Sequence, residues 1–427
     1  MRELRTEILV VGAGPAGIAA AVSAERAGAR ALLVDMQAEP GGQIWRGQWN
    51  KPTDSTARQW LGALRASPVE TRYGLRLIDL PAPGLAVFDG DSGPLRVRCE
   101  RLVIAGGARE RLLPFPGWTL PGVFGAGGLQ VLAKNGWPVA GQRIVIAGSG
   151  PLLLAAAATL RGLGAKVIRI AEQAGWGDIA GFGTGLLRHP RKLVQAAGLA
   201  RRLAGVRYQC NTWVARADGD ERVRSVTLSN GSQREQIGCD ALAVGYGLLP
   251  NTDIARALGC ELREGAVWVD GHQHTSVAGV YCAGEGTGIG GVDQALAQGE
   301  IAGCAAAGRA ELAGPALARR RQSDRFAANL RRHFVLRDEL RRLAEPDTVL
   351  CRCENVRYGA AAACTGTREA RLQLRLGMGH CQGRICGAAT EFLFGWTAAT
   401  PRPPLAPASL ACFTATSSSE NPPQDPT

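Results

Sequence analysis

Aromatic residues, lysine and methionine are scarce in this chain of 427 residues. Aromatics make up 5% of the sequence, there are three Met, and only 4 of the 49 basic residues are Lys. The net charge of +12 invites a nucleic-acid interpretation. However, much of the excess lies in Arg319–Arg342 and is not interleaved with aromatic side chains. A solvated helix face explains such a stretch, so we do not expect nucleic-acid binding.

Uninterrupted apolar runs and a paired cysteine framework are also missing. The uncharged stretch Ile8–Ala24 contains a glycine turn, and Leu112–Ala133 is broken by prolines and glycines. Neither stretch is therefore typical of a signal peptide or a membrane span. The twelve Cys include no thioredoxin-type Cys-x-x-Cys pair. These absences favour a cytoplasmic protein without a membrane span or a secreted disulfide framework.

Glycine is abundant instead, with 57 residues, and part of it marks an internal repeat. The segment 8–17 resembles the segment 144–153, and each copy has the pattern of a strand, a glycine turn, an Ala-rich helix and a second strand. Each copy is one βαβ unit, which predicts an α/β fold with two Rossmann-like dinucleotide-binding domains. A later strand pattern at 279–285 predicts that the second domain is inserted into the first.

Five regions are expected along the chain. The dinucleotide-binding domains are predicted at 1–120 with 247–310 and at 121–246, and the latter has a degenerate glycine motif. A basic helical linker is expected at 311–345, a compact cysteine-bearing domain at 346–395, and a Pro- and Ser-rich tail at 396–427. The end of that tail is expected to be disordered.

The first glycine loop, Gly12-x-Gly14-x-x-Gly17, follows a strand and opens a helix. Gly12 permits the tight turn, Gly14 lets the backbone approach a pyrophosphate, and Gly17 allows close helix–strand packing. Asp35 ends the second strand, where a carboxylate can accept hydrogen bonds from a ribose. The helix N-terminus favours phosphate. This context predicts a bound dinucleotide.

The second loop, Gly148-Ser149-Gly150-Pro151-Leu152-Leu153, lacks the third glycine. Leu153 places a bulky side chain where the helix is expected to pack closely on the strand. Glu172 ends the following strand and suits a 2′-hydroxyl. This combination favours a retained domain whose nucleotide is lost or altered, and productive NAD(P) binding remains the alternative.

Four cysteines form two close pairs, Cys351 with Cys353 and Cys381 with Cys386. Four thiolates fit a [2Fe–2S] centre, and they also fit structural zinc. Glycines around the second pair leave backbone N–H groups free to approach cluster sulfurs. Cys364 lies between the pairs and is expected in the core.

The segment Gly279–Ala302, with Gly284-Glu285-Gly286, resembles the flavoprotein family with two dinucleotide domains that includes glutathione reductase-like enzymes. The resemblance implies FAD, with Glu285 in place of the usual Asp, and Gly41-Gly42-Gln43 near the flavin ring. No Cys lies between Gly41 and Trp60, so the disulfide reductases of that family are excluded. The implied cofactor-binding residues are Gly12, Gly14, Pro15, Ala16, Gly17, Asp35, Gly42, Gln43, Ala105, Gly106, Gly284 and Glu285.

Cys351-Arg352-Cys353-Glu354 and the run Gly377–Gly387 resemble the [2Fe–2S] domain related to bacterioferritin-associated ferredoxin. Together with Gly42-Gln43-Ile44 and Gly148–Leu154, they make the chain similar to the family of opine oxidase A (alpha) subunits. The same family includes the flavoprotein B subunit of hydrogen cyanide synthase, as well as the D-hydroxyproline dehydrogenase alpha subunit. The similarity runs from about Thr6 to about Pro407, and Leu153 is shared with that family.

The resemblance implies an electron-transfer subunit of an amine or amino-acid dehydrogenase, with FAD and a [2Fe–2S] cluster. A beta subunit, itself a flavoprotein, would oxidise the amine, and the sequence identifies no acid–base catalyst in this chain. The resemblance allows for peripheral association with an electron-transport chain and for a small additional iron–sulfur subunit. The alternatives are a stand-alone NAD(P)H-dependent reductase and a non-catalytic assembly scaffold.

Overall fold

The computed structural model describes residues 2–397 and 400–414, which form two compact units. The first unit comprises the chain up to Ala108, Pro250–Asp324 and the residues from Thr400 onward. The second comprises Arg109–Leu249 and the residues from Arg325 up to the return at Thr400. The second unit is therefore inserted into the first, as the sequence predicts. The disorder predicted for the end of the tail concerns residues outside the described ranges.

A seven-stranded sheet forms the centre of the first unit. Five parallel strands lie in the order Glu70–Arg72, Ala31–Val34, Arg2–Val11, Leu95–Ile104 and Val280–Cys282. Two antiparallel strands, Leu85–Gly90 and Leu75–Ala82, extend the sheet beside the N-terminal half of Leu95–Ile104. The parts Ile8–Val11, Ala31–Val34 and Leu102–Ile104 of the central strands are continuous apolar runs because both faces of the parallel sheet are buried there.

The first unit also contains helices and short strands that connect and cover this sheet. Its helices are Pro15–Arg26, Ser55–Ala66, Asp253–Ala257 and Val292–Ala306, with 3₁₀ turns at Gly284–Thr287 and Ala310–Ala313. A short hairpin joins Leu262–Arg263 to Ala266–Val267.

The second unit repeats this architecture. Its parallel strands lie in the order Arg207–Gln209, Lys166–Glu172, Arg143–Gly148, Ala241–Gly245 and Val123–Gly125. A three-stranded antiparallel sheet consists of Trp213–Asp218, Ser225–Ser229 and Arg234–Gly238. The helices are Ala126–Lys134, Pro151–Gly162, Trp176–Leu186 and Pro190–Arg202. In both units the strand before the glycine loop lies at the middle of the parallel strands, which confirms the repeat of two Rossmann-like folds.

The cysteine-bearing segment has its own small core within the second unit. The strands Val349–Cys351 and Val356–Arg357 pair antiparallel, and the helices are Tyr358–Ala362, Thr367–Leu374 and Cys386–Phe394. Ile385 and Phe392 pack against the core of the second dinucleotide fold. The segment predicted as a separate domain at 346–395 therefore belongs to the second compact unit.

The chain passes from the first unit to the second at Ala108, not at the predicted position 120. The reason is packing, because Leu113, Phe115 and Trp118 are buried in the core of the second unit. The predicted linker at 311–345 is likewise not separate. The helix Gly314–His333 begins in the first unit and ends in the second.

Part of the predicted tail is packed rather than extended. Leu405 is buried in the first unit, and its N–H donates to the carbonyl of Ile78 at 2.7 Å. Ser409 N–H donates to Asp89 at 2.7 Å. The final described helix is Ala411–Thr414. Proline content alone did not reveal these contacts. Within the described ranges, no helix is long and apolar enough to span a bilayer.

Candidate functional site

The first glycine loop joins the strand Arg2–Val11 to the helix Pro15–Arg26. Gly12 has a φ of +107°, and a Cβ there would lie 2.3 Å from the carbonyl oxygen of Ala105. A Cβ on Gly17 would lie 1.7 Å from the carbonyl oxygen of Gly12. Only glycine fits at these two positions, as the tight turn and the close helix–strand packing require.

Gly14 differs from its neighbours because the protein leaves room at its side-chain position. The nearest atom to a Cβ there would be the Cα of Gly42, 4.0 Å away. Gly14 is the N-cap of the helix and Pro15 is its first residue, which presets the backbone for the first turn. No side chain caps this end. The space therefore adjoins amide groups that suit the phosphates of a nucleotide.

Asp35 closes the other side of the first loop. Its Oδ2 accepts from the N–H of Ala13 at 2.5 Å, and its Oδ1 accepts from the N–H of Gln37 at 2.7 Å. Burial raises the pKa of Asp35, and the two backbone donors oppose that rise. The carboxylate thus fixes the loop and stands at the end of the second strand, where a ribose is expected.

The loop at Gly41 and Gly42 lies against the first glycine loop. The N–H of Gly41 donates to the carbonyl of Ala13 at 2.7 Å. Gly42 has a φ of +57°, and a Cβ there would lie 3.0 Å from the Cα of Gly14. Gln43 follows and is exposed. The structure thus brings Gly42 to the nucleotide loop, while Gln43 stands at the surface.

Ala105 and Gly106 follow the strand Leu95–Ile104 at the same edge of the sheet. The N–H of Ala105 donates to the carbonyl of Val11 at 2.9 Å. The carbonyl of Gly106 accepts from Nδ2 of Asn251 at 3.3 Å. The Oδ1 of Asn251 is buried and has no partner among the described residues. Sequence reasoning missed Asn251, since no motif marks it.

The second motif follows the strand Val280–Cys282 and lies against the first helix. Gly284 has a φ of +79°, and a Cβ there would lie 2.8 Å from the Cβ of Ala16. The Oε1 of Gln298 accepts from the N–H of Gly284 at 2.8 Å. Gln298 is a buried polar residue in an Ala-rich helix, and that contrast is the signal that could have identified it.

Glu285 carries the clearest indication of a ligand in the first unit. Its Oε1 accepts from the N–H of Gly291 at 2.8 Å. Its Oε2 is buried, and no hydrogen-bond partner for it exists within the part of the chain that the structure describes. Burial raises the pKa of Glu285. Leaving a buried carboxylate oxygen without a donor is costly, so a ligand hydroxyl fits this position.

Close helix packing brings the two motifs together. A Cβ on Gly299 would lie 2.2 Å from the carbonyl oxygen of Ala16, and a Cβ on Gly303 would lie 2.2 Å from that of Ala20. The helix Val292–Ala306 therefore rests on the backbone of the first helix. The spacing of Gly299 and Gly303 was the available sequence signal for this packing.

The second glycine loop has the tight turn of the first but differs at its third residue, where Gly150 has a φ of +91° and Gly14 has a φ of −74°. A Cβ on Gly148 would lie 1.9 Å from the carbonyl oxygen of Gly245. Glu172 accepts from the N–H of Gly150 at 2.7 Å and from that of Ala174 at 2.9 Å. Burial raises the pKa of Glu172 to about 7. Glu172 therefore corresponds in structure to the acid of the first loop.

Leu153 does not prevent helix–strand packing in the second unit. The side chain is fully buried, and its Cδ2 lies 3.5 Å from the position that a Cβ on Gly245 would occupy. Compared with the first unit, the strand position carries glycine, at Gly245, and the helix position carries leucine, at Leu153. The expected steric conflict is thus absent, and the tight turn at Gly148 is kept.

The four predicted ligand cysteines form two hydrogen-bonded pairs. The thiol of Cys386 is hydrogen-bonded to Cys351, and that interaction, with backbone N–H groups, lowers the pKa of Cys351 to about 5. Cys353 interacts with the backbone and the thiol of Cys381. Cys351 and Cys386 are buried, whereas Cys353 is exposed.

Glycine is required beside these thiols. A Cβ on Gly379 would lie 2.3 Å from the Cβ of Cys353, and Gly377, beside the Sγ of Cys386, has a φ of +75°. Across the described ranges, no three His, Cys, Asp or Glu side chains converge on a single metal-ion position. The four thiols are therefore arranged as two pairs and not as a single four-ligand metal site.

Comparison with known proteins agrees with the two glycine loops. The model of the pyridine nucleotide-disulphide oxidoreductase family matches residues 6–299. The A subunit of opine oxidase from Rhizobium meliloti (strain 1021) is 33% identical, over 95% of this chain and 97% of that protein. The HcnB subunit of hydrogen cyanide synthase from Pseudomonas aeruginosa is 32% identical, over the same shares of the two chains.

A solved structure extends the agreement in fold to nearly the whole chain. L-proline dehydrogenase from P. horikoshii superposes with a TM-score of 0.67 and 19% identity, covering 96% of this chain and 80% of that one. At this identity the likeness shows the fold alone.

Proposed function

Because the chain belongs to the pyridine nucleotide-disulphide oxidoreductase family and is related to the opine oxidase A subunits, we propose that it is the electron-transfer subunit of an amine or amino-acid dehydrogenase of the opine or D-hydroxyproline type. It would bind FAD and a [2Fe–2S] cluster. Electrons would come from a partner flavoprotein and leave to a downstream acceptor.

The partnerless Oε2 of Glu285 carries the FAD part of the proposal. A ribityl chain presents several hydroxyl donors, and one of them would satisfy this oxygen. The space at Gly14 would admit the pyrophosphate, and Asp35 would accept from the adenosine ribose. Bound FAD supplies redox chemistry that accepts an electron pair and releases electrons singly.

The chain's own residues would hold this cofactor without rearrangement of the loop. The carbonyl of Ala105 occupies the space beside Gly12, which fixes the turn before any ligand arrives. Asp35 holds the N–H of Ala13, so the loop keeps its shape and the remaining amides stay oriented. Such preorganisation lowers the cost of binding.

The thiol pairs support the cluster part of the proposal. A [2Fe–2S] centre takes four thiolates, two on each of its two irons. Two pairs of thiols therefore suit such a centre better than they suit a single tetrahedrally coordinated ion. Cys351 and Cys386 would form its buried side, and Cys353 and Cys381 its outer side. The cluster supplies one-electron chemistry, which matches release from a flavin.

The partner part of the proposal rests on the relatives, which are named as subunits. Amine oxidation would take place on the partner, and the substrate would be recognised mainly there. This division explains why the sequence offers no acid–base catalyst in this chain.

Co-expression with a candidate flavoprotein partner tests the proposal. The chain should copurify with that partner and contain flavin, iron and sulfide. Under anaerobic conditions D-hydroxyproline or an opine should bleach the chain's flavin and cluster spectrum only when the partner is present. Bleaching of the isolated chain by the amine would contradict the proposal, and so would a chain that binds neither flavin nor iron.

A further inference from the structure

The second glycine loop of this chain is covered by residues of its own second unit. The helix Gly314–His333 ends there, and the next four residues, Phe334–Arg337, continue without regular structure. We call these four residues the strap. The covered loop is the one that would bind a nucleotide in the second dinucleotide fold.

The ring of Phe334 lies directly beside the loop. Its Cγ and Cδ1 are 3.8 Å from the position that a Cβ on Gly150 would occupy, which is ordinary van der Waals contact. Gly150 is the N-cap of the helix Pro151–Gly162. In a dinucleotide site, this is where backbone meets pyrophosphate. An aromatic ring therefore stands at the expected phosphate position. Phe182 holds that ring in place, with centroids 5.0 Å apart.

A fully buried glutamine ties the strap to the loop. Nε2 of Gln173 donates to Oγ of Ser149 at 2.9 Å and to the carbonyl of Val335 at 3.1 Å. Its Oε1 accepts from the N–H of Arg337 at 3.1 Å. Gln173 follows Glu172, the acid expected to contact the ribose. The residue beside the ribose position is thus used to bind the chain's own backbone.

The strap has few contacts to the loop itself, although Leu336 packs on the core of the second unit and the Arg337 side chain donates to Asn211. Val335 is 68% exposed, and within the strap the contacts to the loop come from Phe334 and from two backbone groups held by Gln173. The loop beneath it keeps its tight turn, although Glu172 accepts from the N–H of Gly150 and Asp35 of the first loop accepts from Ala13, one position earlier. A glycine turn beneath a cover that contacts it through one ring and one glutamine fits a closed site.

We propose that the strap Phe334–Arg337 is an autoinhibitory cover that excludes adenine dinucleotides such as NADH from the second glycine loop until it is displaced. The apparent Kd for the nucleotide would then equal the intrinsic Kd divided by the fraction of molecules in which the strap is open. This inference concerns nucleotide binding alone, so it stands or falls separately from the proposed electron-transfer role.

Two variants with matched controls test the cover. Arg337→Pro removes the N–H that Gln173 accepts, and the φ of −71° at Arg337 already suits proline. Arg337→Ala keeps that N–H and is its control. Phe334→Ala removes the ring over Gly150. Its control is Phe326→Ala, which removes a ring that packs on Phe182 and His189.

NADH binding to the full chain is measured by equilibrium dialysis, and hydrogen exchange of the peptide covering Gly148–Leu153 locates the site. Near-UV circular dichroism and thermal unfolding report that each variant is folded. We expect Arg337→Pro and Phe334→Ala to bind NADH about tenfold or more tightly than the wild type and to protect that peptide. Phe326→Ala should match the wild type, and Arg337→Ala, which loses the side-chain contacts to Asn211 and Trp213, should bind NADH less tightly than Arg337→Pro.

Two results would overturn the cover. One is tight NADH binding by the wild type that protects Gly148–Leu153 and is unchanged in the variants. The other is faster exchange of the strap in the variants without any gain in NADH affinity, since the loop itself and not the strap would then exclude the nucleotide.

Discussion

Leu153 on the second glycine-loop helix faces Gly245 on the neighbouring strand, with its Cδ2 3.5 Å from where a Cβ on Gly245 would be. In the first unit the corresponding positions carry Gly17 on the helix and Ala105 on the strand. The larger residue of the pair thus lies on the helix in the second copy of the repeat, whereas in the first copy the helix carries the smaller residue. The second fold is adapted to Leu153, and its glycine loop keeps the tight turn at Gly148.

This exchange predicts energetic coupling between the two positions. Leu153→Ala should lower the free energy of unfolding by about 2–5 kcal/mol, because it empties a fully buried position. Adding Gly245→Ala to that variant should recover about 0.5–3 kcal/mol, since the new methyl group enters the space that Leu153 vacates. Urea denaturation of the single and double variants checks this prediction. Strictly additive effects would show that the two residues do not pack together.

Two glycines of the first loop should respond differently to alanine. Gly17→Ala places a Cβ 1.7 Å from the carbonyl oxygen of Gly12 and should cost on the order of 3–5 kcal/mol of stability. Gly14→Ala meets nothing closer than 4.0 Å, so it should cost about 1 kcal/mol. It should still weaken FAD binding about tenfold or more, because its methyl group fills the phosphate space.

Thermal unfolding and flavin titration of the two purified variants separate these effects. Normal flavin affinity of the Gly14→Ala protein would mean that the pyrophosphate does not bind beside Gly14. A stable Gly17→Ala protein would argue against close helix packing at the loop.

The thiol pairs should hold iron. Cys351→Ser and Cys381→Ser remove one member of each pair, and both should abolish stoichiometric iron, acid-labile sulfide and the cluster's visible absorbance. Cys364→Ser is the matched control, because Cys364 lies in the same segment and outside both pairs. Iron analysis and electron paramagnetic resonance provide the readout. Zinc in place of iron in anaerobically purified wild type would instead indicate a structural site.

Stability should depend on pH through Glu172. Burial raises its pKa from 4.5 to about 7, so between these values the folded chain holds a proton that the unfolded chain releases. Stability therefore falls as pH rises from about 4.5 to about 7, by on the order of 3 kcal/mol for this group alone, and is flat above.

Glu172→Gln cannot titrate, so it should lose less stability over that window than the wild type does. Urea midpoints between pH 4.5 and pH 8, followed by hydrogen exchange in the second unit, measure the difference. Parallel pH profiles of the two proteins would mean that Glu172 is ionised throughout.

Local geometry explains which features the sequence could predict. Gly12 and Gly17 are predictable because a turn and a helix contact permit no side chain there. Both residues belong to one motif of six consecutive residues. The grouping of the four cysteines is predictable because their spacing is visible directly, but the thiols pair as Cys351 with Cys386 and Cys353 with Cys381, which spacing does not predict. The resemblance to flavoproteins identified Glu285, whose partnerless oxygen is the strongest ligand indication in the structure.

Contacts between distant parts of the chain could not be predicted. Gln173 donates a hydrogen bond to the carbonyl of Val335, 162 residues away in the chain, and no local sequence pattern predicts that contact. Asn251 reaches Gly106 across 145 residues in the same way. The boundary at Ala108 also depends on tertiary packing, because the apolar residues beyond it could have joined either core.

Anaerobic reduction of the isolated chain by NADH tests the central claim most directly. If electrons enter through a partner flavoprotein, excess NADH should leave the flavin of the purified wild-type chain oxidised in a stopped-flow experiment. Adding the partner and its amine substrate should then reduce that flavin. Rapid bleaching of the isolated chain's flavin by NADH would contradict the account and identify the chain as a pyridine nucleotide-dependent reductase.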